Sequence, residues 1–93
     1  MDDNTKTGPP LFPLGQIVAT PGALELGIDF IPYLAMHQRG YWGDVSQEDW
    51  QENDFSVKNG FRILSAYGEG NGRFWVITEH DRSVTTILRP DEY

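Results

Sequence analysis

FRILSAYGEGNGRFWVITEHDRSVTTIL, residues 61–88, contains three short runs rich in β-branched and aromatic residues, at 61–67, 73–78 and 83–88. Between them lie GEGNG (68–72) and EHDR (79–82), whose Gly, Asn and Asp are turn formers. Connections this short join antiparallel neighbours, so the stretch predicts a three-stranded meander. GEGNG has no Walker lysine and no strand-to-helix context, so it reads as a hairpin tip and not as a phosphate loop.

Upstream of the meander, SQEDWQENDFSVKNG (46–60) predicts a helix. Ser46 is placed as N-cap with Asp49 three residues on, Val45 and Trp50 can staple the entry, and Asn59-Gly60 provides the stop. Acids gather in the first turn and Lys58 falls in the last, which suits the helix dipole. Before it, Asp29 can cap a helix over 30–39 that Gly40 ends, with Pro32 tolerated in the first turn. Thr20-Pro21 opens a shorter helix that stops at Gly27. Residues 16–19 read as an edge strand or extended arm, because the prolines around them exclude a central strand. The order is β-α-α-α-β-β-β. Segregated helices and strands give the α+β class, with the helices on one face of a three- or four-stranded antiparallel meander sheet. Residues 1–10 are polar and expected as a disordered leader, and 11–93 as a single domain.

The chain of 93 residues has 14 acids against 7 bases, a net charge of −7. That sign disfavours direct binding to nucleic-acid phosphates and favours a basic partner. Cysteine is absent, which excludes disulfides, thiolate metal sites and thiol nucleophiles. No apolar run approaches the ~18 residues of a membrane span, and a cytoplasmic protein is expected.

Five acids fall between residues 44 and 54 with no base among them: Asp44, Glu48, Asp49, Glu52 and Asp54. At ~100° per residue, Trp50, Asn53 and Val57 share the face turned to the sheet, while Glu48, Glu52 and Phe55 share the opposite one. The two glutamates stand about 6 Å apart at Cβ, a spacing similar to that of neighbouring phosphates on one nucleic-acid strand. Asp44, Glu48, Asp49, Glu52 and Phe55 are therefore the expected partner-binding residues, with Phe55 as aromatic anchor. Asn53, on the inward face, is expected to tie the helix to a loop backbone.

Catalytic players are few. His37 shares an apolar helix face with Phe30, Tyr33 and Leu34, where a hydrogen-bonded core histidine is the ordinary outcome, although Asp44 could reach and orient it. His80 sits in a turn in which Asp81 and Arg82 supply local charge pairing. HExxH and G-x-S-x-G are absent, and Thr85 and Thr86 serve β-propensity. No catalytic residue, metal or cofactor is expected.

Three blocks, FPLGQIVATPGAL (12–24), WGDVSQEDWQENDFSVKNGFRILSAY (42–67) and WVITEHDRSVTTILRPDEY (75–93), resemble small plasmid-related proteins encoded on bacterial mobile elements. The resemblance implies a prokaryotic accessory role. By analogy of setting it implies an inhibitor of the anti-CRISPR or anti-restriction kind that mimics DNA in a basic groove. The function expected is thus a non-catalytic acidic binding protein directed at a nucleic-acid-handling defence complex. The alternatives are a homo-oligomeric module (a homodimer paired through an edge at SVTTIL, 83–88) and a small enzyme or metal protein around His37 and Asp44.

Overall fold

A computed structural model describes residues 8–93. The chain runs through β1 (Gln16–Ala19), α1 (Pro21–Leu24), α2 (Ile31–Gln38), α3 (Gln47–Asn59), β2 (Ile63–Tyr67), β3 (Phe74–Thr78) and β4 (Val84–Leu88), with single 3-10 turns at Gly70–Gly72 and Pro90–Glu92. Among the described residues no helix is long and apolar enough to cross a membrane. Residues 1–7 of the expected leader lie outside the described residues. Of the remainder, Gly8 accepts a hydrogen bond from Arg39 Nε at 2.7 Å, which anchors this end against α2.

The α+β class and the β2-β3-β4 meander stand as expected, but the sheet is mixed. Its order is β1-β4-β3-β2, with β1 parallel to β4 and the other two pairings antiparallel. β4 is therefore an inner strand, so the edge expected at 83–88 is already occupied and the free edge belongs to β1. Gly15 makes this pairing sterically feasible. It adopts φ +67, and a Cβ there would lie 2.4 Å from the Ser83 carbonyl oxygen, so no other residue lets the chain enter β1 so close to β4.

Local chemistry sets the helix ends. Ser46 Oγ accepts the Asp49 amide at 3.0 Å, and Gly60 takes the left-handed conformation (φ 75) that closes α3. Thr20 accepts from Ala23, and Asp29 accepts from Ile31 at the start of α2. Glu92, from the far end of the chain, also binds the start of α1 through the Gly22 amide at 2.9 Å.

The helices lie on one face of the sheet. Ala23 and Leu34 pack on Tyr67, Phe74, Val76 and Ile87, which alternate along the strands as a pleated face requires. A second cluster of Phe12, Trp42 and Ile63 receives Trp50 and Val57 from α3. Among the described residues no helix lies over the opposite face, although Ile77 and Leu88 there are buried. Tyr93 instead sets its ring edge against Trp75 at 5.6 Å, and Arg62 bonds the Tyr93 hydroxyl at 2.6 Å.

Candidate binding surface

The acidic helix lies beside β2 because one side chain substitutes for a missing strand. Asn53 Nδ2 donates to the Leu64 carbonyl at 2.8 Å, and its Oδ1 accepts the Leu64 amide at 3.3 Å. Both outward backbone groups of Leu64 are thereby satisfied. Asn53 was expected to hold a loop backbone; it holds a strand edge instead, since a carboxamide carries the donor and acceptor that the edge lacks. Two residues on, the Ala66 amide donates to the Trp42 carbonyl (3.0 Å) and the Ala66 carbonyl accepts the Asp44 amide (2.7 Å). Gly43 permits this approach: a Cβ there would sit 2.0 Å from the Ala66 oxygen.

Three depressions of about 520, 190 and 540 Å³ run in series along the α3 flank, from the sheet at Leu64 and Trp75 to Phe61. Asp49 and Leu64 are common to the first and second, and Glu52 and Arg62 to the second and third, so they form one open trough. Trp75 and Pro90 floor one end; Phe55 and Phe61 wall the other. Four of the five expected residues, Asp44, Asp49, Glu52 and Phe55, line this trough. Glu48 is exposed on α3 outside it.

Asp44 is not a free acid. The β2–β3 turn brings Arg73 to it, Nη2 to Oδ2 at 2.7 Å, and that pair neutralises this end of the patch. Asp54 is also engaged, accepting the Trp42 indole N–H at 3.0 Å. For Glu48, Asp49 and Glu52, no basic side chain among the described residues comes within ion-pairing distance. The five arginines are engaged elsewhere. Arg39 bonds Gly8 and Ala35 carbonyls, Arg62 pairs with Glu79, Arg73 with Asp44, and Arg89 with Asp91. Arg82 donates to the carbonyls of Phe61, Glu79 and Ser56 and lies 5.4 Å over the Phe12 ring. The turn at EHDR thus uses Arg82 to grip the backbone of α3, of the segment between α3 and β2, and of the turn's own first residue; the local carboxylate pairing expected for it does not form.

Phe55 is 58% exposed and Phe61 54%, and their rings stack at 5.9 Å and 10°. Sequence reasoning found Phe55 and missed Phe61, Arg62, Arg73 and Trp75. Phe61 had a local signal. The residue after a glycine helix stop commonly touches the side chain four back from the cap, and the bonds from the Gly60 and Phe61 amides to the Ser56 carbonyl carry that geometry here. Arg62, Arg73 and Trp75 reach the trough through strand pairing, which leaves no local trace.

His37 belongs to the core. It is completely buried between the edges of Phe12 and Trp42, at 5.3 and 5.8 Å. Its partners are hydroxyls. Thr85 Oγ1 donates to the Leu14 carbonyl (2.7 Å), and so accepts from Thr78 (2.7 Å). Thr78 then accepts from Nε2–H (2.9 Å), which leaves Nδ1 to accept from Ser65 (2.6 Å). This one-way chain fixes the proton on Nε2, and burial keeps the imidazole neutral. Burial, and secondarily the Arg82 guanidinium, push its pKa down to about 3. Thr85 is therefore a link in the chain and not merely a β-former. Asp44 bonds Arg73 and not His37, so the His37–Asp44 pair is not formed. His80 is exposed in its turn. Among the described residues no group of three or more His, Asp or Glu is placed to hold a metal ion.

Comparison with protein-family models, curated proteins and solved structures finds no match to this chain. The candidate site therefore rests on this surface alone.

Proposed function

We propose that the chain is a non-catalytic binding protein whose acidic α3 flank engages a basic groove on a nucleic-acid-handling protein of the CRISPR or restriction type. One observation carries this reading. The guanidinium groups are all engaged in internal contacts, while Glu48, Asp49 and Glu52 stand exposed with no described cation within ion-pairing distance, next to an exposed aromatic pair. Carboxylates at helical spacing occupy the positions phosphates would take, and the Phe55–Phe61 stack adds apolar area at the end of the charged strip. Association driven this way is fast and sensitive to salt.

The test is competition. Titrated into a CRISPR or restriction effector bound to its DNA, the chain releases the DNA in a mobility-shift assay, and release weakens steeply between about 50 and 200 mM salt. Glu48→Lys with Glu52→Lys raises the concentration needed by at least about tenfold, equivalent to about 1.4 kcal/mol of binding. Release that is indifferent to both salt and the double substitution contradicts the reading.

A further inference from the structure

The two edges of the sheet are finished differently. On β2, the outward amides and carbonyls of Leu64 and Ala66 are all bonded, to Asn53 and to the backbone of Trp42 and Asp44. On β1, the amides of Gln16 and Thr20 donate to Ser83 and Ile87 of the β4 side, so the alternating residues Ile17 and Ala19 turn their N–H and C=O away from the sheet. Among the described residues these groups have no backbone partner. Apart from its shortness, Gln16–Ala19 carries none of the usual protections of an edge: it has no charge, no proline and no bulge, and Ile17 and Val18 are 48% and 38% exposed.

We propose that this edge pairs with the same edge of a second copy, forming a two-fold dimer with a continuous eight-stranded sheet. The chemistry of the edge calls for an extended strand, since only backbone offers donors and acceptors at that spacing. Charge selects the second copy. At a net −7, two copies meeting by most surfaces would oppose acids, but from Thr7 to Gln38 the only charged residues are Glu25 and Asp29, and β1 contains neither. A two-fold axis at Val18 makes the contact isologous. Ile17 faces the second copy's Ala19, and each such pair exchanges two N–H···O bonds, four in all. Val18 meets the second copy's Val18 at the closer, non-hydrogen-bonded spacing. With only four residues per strand the dimer is weak and concentration-dependent. It leaves the two α3 helices at opposite ends of the joined sheet, free for the binding proposed above, so either proposal can fail without the other.

Sedimentation equilibrium of the full chain from about 5 μM to about 1 mM tests it. The expected result is a mass rising from 10.6 kDa towards twice that value. Ile17→Pro removes an amide that makes no bond to β4 and should raise the dissociation constant at least tenfold while leaving the circular dichroism spectrum unchanged. Val18→Lys places like charges on the axis and should do the same; it decides the matter if Ile17→Pro does not fold. A mass of 10.6 kDa at every concentration overturns the proposal. So does a dimer that survives both substitutions with its fold intact, or a monomer whose Ile17 and Ala19 amides are already protected from exchange by another segment of the same chain.

Discussion

The edge at β2 and the edge at β1 pose the same physical problem, a row of unpaired backbone groups, and among the described residues it is solved only at β2. There, one asparagine and a glycine-enabled crossing satisfy both outward residues, and the helix that brings the asparagine brings the acids with it. Covering that edge and presenting negative charge are thus one act of folding. At β1 nothing comparable is built among the described residues, and the surface there is neutral and aliphatic. A charged surface repels copies of itself; a neutral, open strand does not. The difference teaches that one small sheet can carry a closed, charged end and an open, neutral end.

Acid breaks the closed side most strongly. His37 joins α2 to β2 and β3 through Ser65 and Thr78, and its folded pKa of about 3 lies below the 6.5 of an unperturbed histidine. The unfolded chain therefore binds the extra proton between those values, so this contribution is fully present above about pH 6.5 and is lost as pH falls towards 3. Stability measured by urea unfolding should drop by about 3 kcal/mol between pH 7 and pH 4. His37→Gln should flatten that slope. Asp81 and Glu92 are held below the usual carboxylate range, Asp81 mainly by Ser83 and Glu92 mainly by Thr20, and they act in the same direction at lower pH. A slope unchanged in His37→Gln would show that other groups carry the acid sensitivity.

Removing the surrogate strand comes next. Asn53→Leu keeps the branched shape but leaves the Leu64 amide and carbonyl unpaired, and should cost about 2–4 kcal/mol in the same measurement. A cost under about 0.5 kcal/mol would mean that water closes this edge equally well. Arg82→Ala, which frees the carbonyls of Ser56, Phe61 and Glu79, should cost about 1–3 kcal/mol. Arg82 also sits at φ 60, unfavourable for a residue with a Cβ, so Arg82→Gly should be the milder change of the two. The smallest effect belongs to the open side: Ile17→Pro breaks no backbone hydrogen bond among the described residues and should shift monomer stability by less than about 1 kcal/mol.

Features set by neighbouring residues were legible in the sequence. Ser46 and Gly60 define α3 because caps act within a turn, and the three C-terminal strands are marked by the turns between them. The parallel pairing of β1 with β4 was not legible, since Gln16 meets Val84 across most of the chain and nothing local encodes that contact. The buried polar chain was half legible. His37 was placed on an apolar face from its spacing, but Ser65, Thr78 and Thr85 looked like ordinary strand residues until strand register turned all three inward. For the surface, Asp49, Glu52 and Phe55 come together as the helical period requires, whereas the neutralisation of Asp44 depends on a hairpin that delivers Arg73.

Amide hydrogen exchange, followed by NMR, compares the two edges residue by residue in a single sample. At about 20 μM, where most chains are monomeric for a dimer this weak, the Leu64 and Ala66 amides should be strongly protected. Those of Ile17 and Ala19 should exchange at nearly the rate of an unstructured chain, and gain protection as concentration rises. Equal protection at both edges in dilute solution, or unprotected amides at Leu64 and Ala66, would contradict the account.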